Sequence, residues 1–169
     1  VMNAAQDLEY VEELLGRKPQ CEFEVVVRRT DGSPVVIKNF PVLFSGRPMP
    51  TMYWLVDPVL TKCIGRIESG GGVDEAEEAI GYVELEKYHL EYANKRQALF
   101  DESKFKHIPT GGVGGTRKGV KCLHAHFANF LVDGVDPVGL WTNERLLETN
   151  DGFDPSVSGI ATIKQYETE

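Results

Sequence analysis

Residues 21–40 read CEFEVVVRRTDGSPVVIKNF, two runs rich in β-branched and aromatic residues on either side of a Thr-Asp-Gly-Ser-Pro break. Valine, isoleucine and phenylalanine pack well on a pleated surface, and Asp-Gly supplies turn chemistry. The segment 22–40 is therefore expected to be a β-hairpin. In its first arm, period-two alternation places Phe23, Val25 and Val27 on one face. Next comes a stretch with three prolines and a glycine, FPVLFSGRPMPTM at 40–52, which favours an extended loop. The run MYWLV at 52–56 is expected to return as a buried strand.

Outside these strands the periodicity is helical. Leu8, Val11, Leu14 and Leu15, followed by Gly16, predict an amphipathic helix over 4–15. Asp57-Pro58 is an N-cap followed by a first helical position, opening a helix that closes near Gly70. A long helix is expected near 83–100, with Leu85, Tyr88, Tyr92 and Leu99 as its inner stripe. Another is expected over 119–132, with Leu123, Phe127, Phe130 and Leu131 facing the core. Asp136-Pro137 repeats the cap-plus-proline signal for a last helix through Leu147. Strands come early and helices late, without regular alternation, so the expected class is α+β: a small, mainly antiparallel sheet packed against several helices. Residues 1–147 are expected to form one domain, and 148–169 a flexible acidic tail.

Charge narrows the function classes. The chain has 169 residues, 26 acidic against 18 basic, for a formal net charge of −8. General nucleic-acid binding needs positive charge to displace counterions and is not expected. No apolar run approaches the roughly 18 residues that span a bilayer, so no membrane role is expected. The start lacks the basic flank and apolar stretch of a secretory signal, and Cys21, Cys63 and Cys122 are sparse and widely spaced. Both features suggest reduced thiols and a cytoplasmic location. The average hides a reversal of sign. Residues 68–102 hold ten acids and three bases, whereas 104–121 hold five bases, one histidine and no acid.

Three segments carry candidate chemistry. In the first, Gly111-Gly112-Val113-Gly114-Gly115-Thr116-Arg117-Lys118-Gly119 leads toward a helix. Gly112, Gly114 and Gly115 can let backbone amides converge, and Thr116, Arg117 and Lys118 add a hydroxyl and two cations. These are the parts of an anion site. Neither a Walker A nor a dinucleotide fingerprint is present, and the competing reading is a flexible linker. In the second, Cys122-Leu123-His124-Ala125-His126 contains three metal-ligand side-chain types. On a helix, Cys122 and His126 share a face while His124 points away, so zinc or another divalent metal would need distant ligands. The alternative is a pair of hydrogen-bonded histidines beside a buried thiol. A basic setting could also activate Cys122 as a nucleophile. In the third, His89, Tyr92 and Arg96 lie along one helical stripe and can present an acid/base group, a phenol and a guanidinium. The alternative there is a core tyrosine with edge ion pairs.

The segments LGRKP (15–19), FEVVVRRTDGSPVVIKNFP (23–41), RPMPTMYWLVDP (47–58), HLEYANKR (89–96), GGVGGTRKGVKCLHAH (111–126) and DPVG (136–139) together resemble the bacterial "domain of unknown function 501" family. The resemblance covers roughly residues 10–147. It implies no established activity or catalytic residue. It does imply a gene neighbourhood, in actinobacteria, with exopolyphosphatase-type and septum-formation-initiator-type genes, which points to phosphate-related chemistry or a protein partner. Asp57 stands where some members carry cysteine, so a metal site using that position is not implied here.

The resulting expectation is a cytoplasmic protein that binds a small phosphorylated or other anionic ligand through Gly112, Gly114, Gly115, Thr116, Arg117, Lys118 and Arg96. His124, His126 and His89 are the acid/base candidates. One alternative is a non-catalytic regulatory or scaffold module for a partner such as a phosphatase or division protein, with residues 68–102 and the tail as recognition surfaces. Another is a small metal-binding protein using Cys122 and His126.

Overall fold

Residues 3–101, 103 and 107–149 are described by a computed structural model of the chain. The elements are α1 (Ala4–Leu15), β1 (Phe23–Arg28), β2 (Pro34–Asn39), β3 (Tyr53–Leu55), α2 (Pro58–Ser69), α3 (Gly72–Ile80), α4 (Tyr82–Gln97), α5 (Leu123–Asp133) and α6 (Pro137–Glu148). A 3₁₀ turn, Val113–Gly115, lies between α4 and α5. The fold is α+β, with one antiparallel sheet in the order β1-β2-β3. No helix among the described residues is long and apolar enough to cross a membrane. The tail expected over 148–169 falls, beyond Thr149, outside the described residues.

The hairpin forms as its residues suggest, but with a bulge that alters one expectation. Phe23 pairs with Asn39 and Val25 with Ile37, after which Val26 is extra and Val27 pairs with Val36. An inserted residue turns the following side chain to the other face of the sheet. Phe23 and Val25 accordingly pack with Val11, Ile37 and α1, while Val27 joins the main core with Val36, Leu60 and Phe127. The three do not share a face.

Local chemistry sets the helix boundaries. Asn3 and Gln6 form a capping box at the start of α1, and Gly16 closes it in the left-handed region. Asp57 caps α2 by accepting the Leu60 amide at 2.9 Å and also ion-pairs with Arg29 at 2.6 Å, which fastens the hairpin to α2. The expected single helix near 83–100 is instead preceded by α3, and a break at Gly81 (φ 82°) separates α3 from α4. Helix α4 ends at Gln97, so Leu99 lies past it and is 40% exposed. The inner stripe of α4 comprises Leu85, Tyr88, His89, Tyr92 and Arg96.

Helix α5 starts at Leu123 rather than near 119, and all four expected core residues on it are buried. The Asp-Pro-Val-Gly sequence at 136–139 can be read position by position. Asp136 caps α6, Pro137 takes the first turn, Val138 is fully buried, and Gly139 lies against α5. A Cβ on Gly139 would come within 2.2 Å of Phe130 Cβ, so glycine is what allows the two helices to approach so closely.

Candidate functional site

The glycine segment folds around His89. Val113 N–H donates to His89 Nδ1 at 3.1 Å, so that nitrogen is unprotonated, and Nε2–H donates to the Gly119 carbonyl at 2.7 Å. Both ring nitrogens are engaged, and burial lowers the imidazole pKa below its ordinary value. Each of the four neighbouring glycines is required by geometry. A Cβ on Gly111 would sit 2.4 Å from the Gly115 carbonyl oxygen, and one on Gly112 would sit 2.4 Å from the His89 ring. Gly114 and Gly115 adopt φ of 64° and 84°.

This turn engages three of its own amides. Gly112 N–H donates to Thr116, Gly115 to Gly112, and Thr116 to Val113, all at carbonyl oxygens. Carboxylates also take the Leu123 amide that opens α5 and the Val120 amide in the loop before it. Glu68 Oε1 accepts the Leu123 amide at 2.6 Å, and Glu77 Oε1 accepts the Val120 amide at 2.7 Å. The amides of Gly112, Gly115, Thr116, Val120 and Leu123 are thus already engaged within the protein, whereas the side chains of Arg117 and Lys118 are exposed.

Arg117 and Lys118, but not Thr116, line a cleft of about 340 Å³ between α4 and the loop. Its walls include Arg117, Lys118, Thr110 and Gly112 on the loop side, and Glu86, His89 and Leu90 on α4. Arg117 donates to Thr110 Oγ1 at 2.7 Å, and neither Arg117 nor Lys118 pairs with a carboxylate among the described residues. Gly114 lies on a separate hollow of about 230 Å³ with Cys122 and His124. Gly115 packs toward Pro50.

The other expected site residues are placed differently. Arg96 is completely buried and donates to the carbonyls of Pro50, Pro109 and Gly111, so it ties two loops to α4 and does not line the cleft. Burial without a carboxylate partner lowers its pKa. Tyr92 accepts the Met52 amide at 2.7 Å, and its phenol is pushed up to about 12, mainly by burial. His124 faces away, toward Glu68 at 3.1 Å and the Thr61 carbonyl at 3.0 Å. Cys122 precedes α5 in extended conformation, so it does not share a helical face with His126. Burial raises the Cys122 thiol pKa, the opposite of what an activated nucleophile needs. Among the described residues, no group of three or more histidine, cysteine, aspartate or glutamate side chains could hold a metal ion.

His126 belongs to a buried polar network that the sequence reading missed. Its Nδ1 lies 2.9 Å from Asp136, which also accepts from Asn129 and from the amides of Val138 and Gly139. Asn129 donates in turn to Tyr88, whose hydroxyl donates to Asp133 at 2.5 Å. The rings of His126 and His89 are 5.6 Å apart, and His126 Nε2 is buried without a hydrogen-bond partner among the described residues. The available signal was the pairing of Asp136 with His126 and Asn129, ten and seven residues earlier. It spans two helices and is invisible to periodicity within one.

A family model described as "Protein of unknown function (DUF501)" matches residues 25–144, well over half of the chain. The chain belongs to the DUF501 family. The DUF501 match runs from β1 into α6 and includes the cleft, the His89-centred turn and the buried network, while α1 lies before it. Neither the curated proteins nor the solved structures contain a match to this DUF501 chain.

Proposed function

We propose that this protein is a bacterial, cytoplasmic binding protein for a small anionic molecule, a phosphate or phosphate ester, held in the cleft between α4 and the glycine turn. One observation carries the reading. In a chain of net charge −8, Arg117 and Lys118 stand side by side in a concave site without a carboxylate partner among the described residues. Thr110 Oγ1, already bonded to Arg117, orients the guanidinium toward that space. On the opposite wall, Glu86 and Leu90 favour a ligand with its negative charge at one end and a hydroxyl, amine or apolar part at the other. The three free cysteines fit a reducing compartment.

Binding is favoured over catalysis because both nitrogens of His89 are committed to the turn, while His124 and His126 point elsewhere or are buried. Calorimetric titration with inorganic phosphate, pyrophosphate and simple phosphate monoesters tests the reading. Replacing both Arg117 and Lys118 with alanine should weaken binding roughly tenfold or more, since hydrogen bonds to charged groups contribute about 1.5–3 kcal/mol each. Equal binding by the variant, or none by the parent protein, contradicts the reading.

A further inference from the structure

A second hollow shares no lining residue with the Arg117–Lys118 cleft. It is a groove of about 710 Å³ between α1 and β1. Strand β1 is an edge strand. Phe40 N–H donates to the Glu22 carbonyl at 2.7 Å, and Asn39 N–H turns the other way, to Met52 in the approach to β3. Alternation along an antiparallel ladder then directs the N–H and C=O groups of Glu24 toward β2, and those of Phe23 and Val25 toward the open edge. The bulge at Val26 ends this regular edge.

The groove beside that edge is lined by apolar and acidic residues together. Leu8, Phe23, Val25 and Phe44 line it, and Phe44 is 72% exposed. Asp7 and Arg28 neutralise one another at 2.6 Å, which leaves Glu12, Glu22 and Glu24 against Lys18. We propose that the β1 edge from Glu22 to Val25 docks an extended, lysine- or arginine-bearing segment of a partner protein, added as a further strand. Backbone groups of Phe23 and Val25 supply the register, Phe44 and Leu8 receive apolar side chains, and the three glutamates select basic ones. A second copy of the chain fits poorly, because antiparallel self-pairing centred on Phe23 would bring Glu22 of each copy against Glu24 of the other.

Selection of a random peptide display library on the full chain tests this. Enriched peptides should alternate apolar residues with lysine or arginine. A synthetic copy should bind roughly tenfold or more weakly when alternate amides are N-methylated, and again when Glu22→Lys and Glu24→Lys are combined. Both glutamates are exposed, and an unchanged circular dichroism spectrum checks that the variant is folded. No enrichment, enriched peptides without basic residues, or affinity indifferent to N-methylation would each overturn the proposal. So would self-association of the chain that is abolished by the double variant.

Discussion

Glu68 Oε1 accepts the backbone amide of Leu123 at 2.6 Å, so the first amide of α5 is already occupied by a carboxylate of the protein itself. The same oxygen lies 3.1 Å from His124 Nδ1. A helix start is an anion site only while its amides are free, and here α2 supplies the anion. Glu68→Ala should therefore cost about 1–2 kcal/mol of stability, comparable to loss of an N-cap, and leave anion affinity at the Arg117–Lys118 cleft unchanged. Denaturant unfolding and a phosphate titration of the same variant check both parts.

Gly112 offers a second test, since a Cβ there would penetrate the His89 ring. Neither partner can move freely, because both ring nitrogens are bonded to the turn. Gly112→Ala should destabilise the protein by about 1–3 kcal/mol, as overpacking of a filled site does. Gly16→Ala is a useful contrast. It meets no neighbour within 4 Å, so its cost should come only from the left-handed backbone.

The pH dependence follows from His89. Its folded pKa lies below the ordinary 6.5 because burial disfavours the imidazolium. The unfolded chain therefore binds the proton more readily in the interval between the two values. Stability from this group is fully present above pH 6.5 and is lost as pH falls through the folded pKa. Thermal melts across this window should show Tm declining on acidification, with a smaller decline in His89→Gln.

Arg96 should not tolerate its nearest chemical relative. A planar guanidinium reaches the carbonyls of Pro50, Pro109 and Gly111 together, whereas an ammonium is a single point donor. Arg96→Lys should lose about 2–3 kcal/mol, the scale of one charge-assisted hydrogen bond, and loosen the 109–111 segment in hydrogen exchange. Anion affinity should fall only as far as the folded population falls, because Arg96 does not line the cleft.

Most of the fold was legible because its signals are local. Asp57-Pro58 and Asp136-Pro137 each begin a helix, and the valine-rich arms around Asp-Gly pair as a hairpin. The bulge at Val26 was not legible, since an uninterrupted run of valines carries no mark of where the register shifts. The break between α3 and α4 depends on Gly81 adopting positive φ, which the residue permits without requiring it. At the site, the sequence drew attention to His89 and to the glycine run but not to their relation. Glycines that admit a ligand and glycines that admit a histidine ring look identical in one dimension. Arg117 and Lys118 stood out because the charge reverses locally, whereas the committed amides behind them depend on Glu68 and Glu77, more than forty residues away.

The most direct measurement is amide chemical-shift mapping of the folded protein during titration with inorganic phosphate and pyrophosphate. The expected result is saturable shifts centred on Thr110, Gly112, Arg117 and Lys118, with Leu123 and Val120 unmoved. A flat spectrum at the cleft, or shifts centred on the start of α5, would contradict the assignment of the anion site.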